Sequence, residues 1–304
     1  MIKLKIWLQA IRAPFFTASA MPVFLGSIVA WARFGTFYWF YFFLTLFGVL
    51  SINAGTNLAN DYFDYKSGND EVNKTPTPFS GGSRVIQDKL IKPINVLIGS
   101  LIFFFVAFLV GLYLIFSIPG NTILILGLIG ILVGFFYTAE PLRLGYRGFG
   151  ELWVGLCLGP LAVLGSFYVQ AQTLSFEALL ISVPLGILVG LILYINGFQD
   201  YEADKRVGKK TSIVILGKER AAKAIRFLLG FVYLWIGGGV IFKIFPSATL
   251  IVFLTVPLAF KAVRVLMKNF DKIQELLPAN AAVIQSHLFF GLLLCAGYII
   301  DKIL

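Results

Sequence analysis

Residues 57–66 read Asn57-Leu-Ala-Asn60-Asp61-Tyr62-Phe-Asp64-Tyr-Lys66, and residues 196–205 read Asn196-Gly-Phe-Gln-Asp200-Tyr201-Glu-Ala-Asp204-Lys205. Each follows a long apolar run, and each reads Asn-x-x-x-Asp-Tyr, a further Asp, then a base. Asn57, Asp61 and Asp64 step by four and three, and Asn196, Asp200 and Asp204 by four and four. That spacing lays each set along one face of a helix. The two copies predict a parallel internal repeat whose matching helix ends meet on one side of a membrane.

The rest of the chain fits that reading. It has 304 residues, 59% of them hydrophobic and only 13% charged, with a mean hydropathy of +0.88. Ordinary soluble domains carry about 25% charged residues, so a soluble fold is excluded. Apolar runs at 13–33, 37–64, 94–116, 122–139, 149–170, 176–198, 220–242, 247–266 and 281–300 predict nine transmembrane helices. The chain reads as a single polytopic membrane domain over 1–304, with no cleavable signal before the first span. With the amino terminus inside, 22 of the 25 Lys and Arg fall on the cytoplasmic side; only Arg33, Lys243 and Lys302 lie outside. The positive-inside rule then gives an N-in/C-out topology. The net charge of +10 is a topology signal, and nothing points to nucleic acid.

Thirteen of the 15 acids also fall on the cytoplasmic side, where topology does not ask for them. A carboxylate at a helix C-terminus meets the negative end of the helix dipole, at about 0.3–1 kcal/mol. Four of them together also repel one another. Asp61, Asp64, Asp200 and Asp204, with Asn57, Asn60 and Asn196, are therefore the candidate ligands of a hard cation, Mg2+, shared with a diphosphate. Solvated helix-end charges are the plain alternative for one cluster, but not for two matching ones. Two long connectors, 65–93 and 199–219, supply cap loops. Lys66 and Arg84 from the first, Lys209 from the second, Arg143 and Arg147 from the fourth-to-fifth connector, and Arg12 at the mouth of the first span are the candidate diphosphate contacts. Tyr137 is a candidate catalytic aromatic, facing a developing carbocation. The lone His287 and the two cysteines, Cys157 and Cys295, read as packing residues.

Asn60-Asp61-Tyr-Phe-Asp64 and Asp200-Tyr-Glu-Ala-Asp204, with Arg12-Ala-Pro14 before the first span, resemble the NDxxD, DxxxD and Arg-x-Pro motifs of the UbiA superfamily of intramembrane prenyltransferases. The resemblance implies nine helices around a central cavity, in an isoprenoid-synthase-like arrangement. It also implies Mg2+ and diphosphate held by the Asp motifs under a cytoplasmic cap, and prenyl transfer from a prenyl diphosphate to a small acceptor in the plasma membrane, with no obligate protein partner. Many members carry a further Asp four residues after the first motif, where this chain has Gly68. Hydroxybenzoate-type members have a Lys in the fourth-to-fifth connector, where this chain has Pro141. Both departures look more like the naphthoate, menaquinone-type branch. The loop Pro76-Thr-Pro-Phe-Ser-Gly-Gly-Ser-Arg84 argues against the archaeal digeranylgeranylglyceryl phosphate branch, the alternative acceptor. A secondary transporter is the rival from another class, but its ionisable groups belong near the bilayer midplane, and these acids gather at one face.

Overall fold

The computed structural model describes residues 2–304. Its helices are α1 (Ile2–Ala10), α2 (Phe16–Phe34), α3 (Trp39–Ser67), α4 (Asn69–Val72), α5 (Pro93–Ser117), α6 (Thr122–Phe136), α7 (Gly150–Leu156), α8 (Ala162–Ala171), α9 (Phe176–Arg206), α10 (Ser212–Leu216), α11 (Lys218–Ile241), α12 (Val256–Asn269) and α13 (Ile273–Ile303). Eight segments are long and apolar enough to cross a bilayer, and α6 is a shorter ninth. At 15 residues α6 is about 22 Å long, short of the ~30 Å hydrocarbon thickness. The architecture is the predicted all-α one, with nine plausible spans among the described residues.

Among the boundaries that differ from the sequence reading, three shift by more than a turn. The amino terminus does not run straight into the first span; α1 is a separate helix. It ends at Ala10, and Arg12, whose backbone is left-handed (φ 53°), leads into a short 3-10 turn carrying Pro14. The second cap loop starts later than 199, because α9 continues to Arg206 and gives way near Gly208 (φ 74°). The last span begins at Ile273, not 281. In α9 the extension follows from the acids being hydrogen-bonded to neighbouring elements, as described below, so the helix outlasts its apolar run.

α9 is the most enclosed span. Apart from its carboxyl-terminal turns it is apolar nearly all round, as a helix surrounded by others must be. It anchors a core shared with α2, α8, α11, α12 and α13, in which Leu185, Leu188, Ile195, Phe198 and Tyr298 are fully buried. Glycines set its closest neighbour. Gly155 and Gly159 face Gly186, and a Cβ on Gly159 would lie 2.6 Å from the Gly186 Cα. Apolar surface alone does not drive helices together in lipid, but such close backbone approach does. Between them, α7 and α8 are joined by a π-turn, Cys157–Leu161, that absorbs Pro160 and its missing N–H. On the other side α3 packs against α5 and α6, and their outward faces, with Phe105 and Ile125, are exposed.

Candidate active site

Between these two groups of helices lies a cavity of about 1060 Å³. Its head is polar and its body apolar. Arg12, Asn57, Asn60, Asp64, Asn69, Asp70, Arg84, Asn196, Asp200, Asp204 and Lys209 line the head, with Tyr137 beside them. The body follows α3, α5, α6 and α8 past Ile52, Val110, Leu114, Ile131 and Leu161 as far as Thr45. From Asp64 to Thr45 on α3 is about 28 Å, nearly a bilayer's hydrocarbon depth.

Both acidic motifs are helical, and their ends meet. Asp61 accepts from the Arg12 guanidinium at 2.5 Å and from the Ser83 backbone N–H at 3.2 Å, and also from the Ser83 hydroxyl. Asp64 accepts from the Tyr146 hydroxyl at 2.5 Å and from Asn60 Nδ2 at 3.0 Å. Across the seam, Asn73 Nδ2 donates to Asp200 Oδ1 at 2.9 Å and Asn69 Nδ2 to Asp204 Oδ1 at 3.3 Å. Lys209 Nζ lies 3.5 Å from both Asp64 and Asp204 and ties the two repeats together. Burial works against that ammonium, but Asp204 and Asp64 hold its pKa well above the ordinary lysine value.

A fifth carboxylate stands here that the sequence reading passed over. Gly68 (φ 78°) ends α3 and turns the chain back into α4, which brings Asn69 and Asp70 against α9. Asp70 is buried, and a Cβ on Gly82 would meet its Oδ2 at 2.4 Å and Asp61 Oδ1 at 3.3 Å. Only a glycine lets that loop lie on both acids. Burial, then the charges of Asp64 and Asp61, push the Asp70 carboxyl up to about 7 against the pull of Arg12 and Lys209. The helical stripe that revealed Asp61 and Asp64 stops at Gly68, so Asp70, six residues past Asp64, was off its register. Tyr146 was missed too. Burial, then the neighbouring Asp64 charge, raise its pKa.

The predicted bases divide. Arg12, Arg84 and Lys209 reach the cavity. Arg12 is committed to Asp61 and Asn60, and Arg84 donates to the Asp70 carbonyl at 2.6 Å. Lys66, Arg143 and Arg147 are not brought to the lining. Lys66 is on the exposed face of α3, Arg143 pairs with Glu140 at 2.8 Å, and Arg147 donates to the Pro141 carbonyl. Tyr137 reaches the cavity because Gly145 and Gly150 leave room for its ring; a Cβ on either would come within 2.9 Å of it. His287 is buried with Nε2 unpartnered, and both cysteines are free.

The donor set tests the fit to a cation. Asn69 Oδ1 is buried and has no partner. Asp200 Oδ2 and Asn57 Oδ1 accept no hydrogen bond among the described residues. All are oxygens, as a hard divalent ion requires. Among the described residues no three acids form a ready cage; Mg2+ itself takes one or two carboxylates and completes its shell with water and phosphate. The residues fit.

Comparison with known proteins decides the family. The model of the UbiA prenyltransferase family matches residues 19–295. The chain belongs to that family. Its reaction class, prenyl transfer, comes with membership, and the transporter reading is set aside. Among UbiA relatives, a 1,4-dihydroxy-2-naphthoate octaprenyltransferase of Bacillus subtilis is 33% identical over 97% of this chain and 92% of its own length. A 2-carboxy-1,4-naphthoquinone phytyltransferase of Synechocystis is 31% identical over 97% and 93%. A UbiA homolog from Archaeoglobus fulgidus bound to GPP and Mg2+ has the same fold, with a TM-score of 0.69 and 15% identity over 98% of this chain and all of that one. A digeranylgeranylglyceryl phosphate synthase structure gives a TM-score of 0.64 at 20% identity over 100% and 99%, a likeness of fold alone.

Proposed function

We propose that this UbiA protein transfers a prenyl group from a prenyl diphosphate to a naphthoate-type aromatic acceptor, in a single membrane domain whose active head faces the cytoplasm across the plasma membrane. The observation that carries this reading is the joining of two chemistries in one cavity. A carboxylate head suited to Mg2+ and a diphosphate opens into an apolar body, and head and body together run about as deep as the hydrocarbon core. A polyprenyl diphosphate has that same division. The acceptor class is supported by two relatives above 30% identity, one named a dihydroxynaphthoate octaprenyltransferase and the other a carboxynaphthoquinone phytyltransferase, and by Pro141 and Gly68, where other branches carry Lys and Asp.

Asp61, Asp64, Asp200, Asp204 and Asp70, with the amide oxygens of Asn57 and Asn69, are the groups that would hold Mg2+. When bound, the ion neutralises charge that grows on the departing diphosphate. The chain's own groups do the rest. Arg84 lies at the rim of the head, where its guanidinium can meet phosphate oxygens, and Lys209 can turn from the carboxylates to the diphosphate once their charge is met. Arg12 fixes Asp61 and Asn60 in place. Tyr146 and Ser83 hold Asp64 and Asp61 in single orientations, so little reorganisation is needed when charge develops. Tyr137 presents its ring beside the head, where the allylic carbon becomes electron-poor as its bond to oxygen breaks. The apolar walls keep water from that carbon until the acceptor attacks.

Diphosphate release by purified protein given geranylgeranyl diphosphate tests the reading. It is run with and without Mg2+, adding dihydroxynaphthoate, hydroxybenzoate or geranylgeranylglyceryl phosphate in separate arms. Release that needs Mg2+ and rises with dihydroxynaphthoate is expected. Stimulation only by another acceptor would move the chain to that branch, and no release from folded protein would remove the proposal.

A further inference from the structure

The cavity wall carries one carboxylate that the cation site does not use. Of the acids that line the cavity, Asp64, Asp70, Asp200 and Asp204 belong to the head, and the fifth is Glu151. It stands in the first turn of α7. Glu151, Val154 and Leu158 step by three and four along α7 and the π-turn that continues it, so they share the face turned to the cavity. Gly190 lets that turn rest on α9; a Cβ there would lie 2.9 Å from the Glu151 carbonyl oxygen. The Ser212 hydroxyl, at the start of α10, donates to Glu151 Oε2 at 2.8 Å and orients the side chain. Among the described residues Oε1 accepts no hydrogen bond, and no Lys or Arg pairs with this carboxylate.

Tyr137 is its neighbour. The phenol oxygen lies against Gly150, the residue before Glu151, where a Cβ would come within 2.8 Å of it. The ring stands among the charges of Lys209, Glu151, Asp64 and Asp204, yet among the described residues its hydroxyl bonds to none of them. The other phenols close by are engaged: Tyr146 donates to Asp64 and Tyr194 to the Ala221 carbonyl. An open acceptor and an open O–H therefore share one stretch of wall, beside the place where the allylic carbon parts from its diphosphate. A carboxylate only accepts, and a phenol beside it has its proton to give, so the pair is met by a group that both donates and accepts. A hydroxyl does both. An ether or a carbonyl on the same spot would meet the tyrosine alone and leave Glu151 desolvated without a partner.

We propose that Glu151 and Tyr137 bind the aromatic acceptor through a ring hydroxyl, which donates to Glu151 Oε1 and accepts from the Tyr137 O–H. This arrangement rests on the naphthoate reading given above and deepens it by fixing which way round the acceptor lies. The acceptor's own carboxylate is repelled by Glu151 and drawn to the bases of the head. The hydroxyl presented to Glu151 is then the one remote from that carboxylate, the 4-hydroxyl of 1,4-dihydroxy-2-naphthoate. As the ring gives electrons to the prenyl carbon, its O–H becomes more acidic, so the bond to Glu151 is stronger in the transition state than in the bound acceptor. Glu151 thereby contributes to turnover as well as to affinity.

The test is transfer by the intact protein from geranylgeranyl diphosphate with Mg2+, comparing kcat/KM for 1,4-dihydroxy-2-naphthoate and for its 4-methoxy derivative, whose oxygen accepts but cannot donate. The wild type is expected to prefer the hydroxyl compound by about ten- to a hundredfold, the worth of a hydrogen bond to a charged group. Glu151→Leu should bring that preference within about threefold, by a loss on the dihydroxy compound, and leave the KM for geranylgeranyl diphosphate within about threefold. Leu is close to Glu in size, so the added methyl group weighs on both proteins alike. A Glu151 that only ties α7 to α10 through Ser212 would, when lost, lower transfer to both compounds equally and leave the preference intact. That result, or a wild type without preference, overturns the inference. Should Glu151→Leu fail to fold, Glu151→Gln keeps the shape and loses the charge, and an undiminished preference there overturns it equally. Transfer to neither compound by the wild type would instead overturn the function proposed for the site.

Discussion

The two ends of the bundle both carry acids, and they treat them in opposite ways. At the end away from the cavity head, Arg33 donates to Glu177 through Nε at 2.8 Å and NH2 at 2.6 Å and reaches Asp301 at 3.4 Å. The Tyr298 hydroxyl donates to Glu177 at 2.8 Å, and its ring lies 5.6 Å from the Arg33 guanidinium carbon. This is a partly solvated knot that joins α2, α9 and α13, one guanidinium held between two carboxylates, with Asp301 open to solvent. At the head, five aspartates converge, four of them no more than 4% exposed, and the two bases that pair with their carboxylates are Arg12 and Lys209. A partly solvated ion pair holds helices together, and water screens the charge left over. A buried surplus of one sign has no structural use that repays its desolvation, and points to a ligand of the other sign.

The sharpest way to break this contrast is to remove one acid at each end. Asp200→Asn is expected to lower prenyl transfer by about 100-fold or more, in the range for losing one preorganised electrostatic group. It should also remove the stabilisation that Mg2+ gives the wild type, about 2.7 kcal/mol at a hundred times the dissociation constant, read as a rise in Tm. Asp70→Asn is expected to do something the other end cannot. It should stabilise the metal-free protein by about 0.5–2 kcal/mol while weakening Mg2+ binding, because the site stores like charges that folding must tolerate. Tm without Mg2+, set beside the Mg2+ titration, reads both effects. Glu177→Gln should show the opposite pattern: a loss of about 1 kcal/mol in stability with diphosphate release unchanged. A stabilised Glu177→Gln or a destabilised Asp70→Asn would erase the distinction between the two ends.

What could be read from the chain follows the same division. The spans were legible because lipid imposes a length and a polarity on every helix, and Asp61, Asp64, Asp200 and Asp204 because helical spacing carries a motif along one face. Legibility stopped where the backbone left regular structure. Gly68 breaks the register before Asp70, and α1, too polar at Lys3 and Lys5 to be read as part of a span, was not foreseen as a helix that brings Gln9 to the Ser83 carbonyl. Tyr146 comes from a connector that touches Asp64 only after the fold has formed. Asn280 is one of several polar residues in the last span, and nothing in its surroundings announces that it speaks to Asn196. Local spacing finds groups that share a helix; groups joined by tertiary contact leave no such signal.

The bases make that limit testable at the smallest scale. Lys66, Arg143 and Arg147 were as plausible from sequence as Arg84, since all sit in connectors beside the motifs, and topology alone explains a base in such a place. The structure puts them outside the cavity: Lys66 exposed, Arg143 turned to Glu140, Arg147 closed onto the Pro141 carbonyl. Lys66→Ala and Arg147→Ala are therefore expected to leave the KM for prenyl diphosphate and the turnover within about twofold, the size of an ordinary surface substitution. Arg84→Ala should cost about tenfold, because it frees the Asp70 carbonyl and removes a charge from the rim. Steady-state kinetics at fixed Mg2+ separates the two groups. An equal loss at Lys66 and Arg84 would mean that the cap loop closes further over bound diphosphate than the arrangement described above, carrying the outer bases inward. The acid surplus would then be met by the whole loop and not by the few groups that already face it.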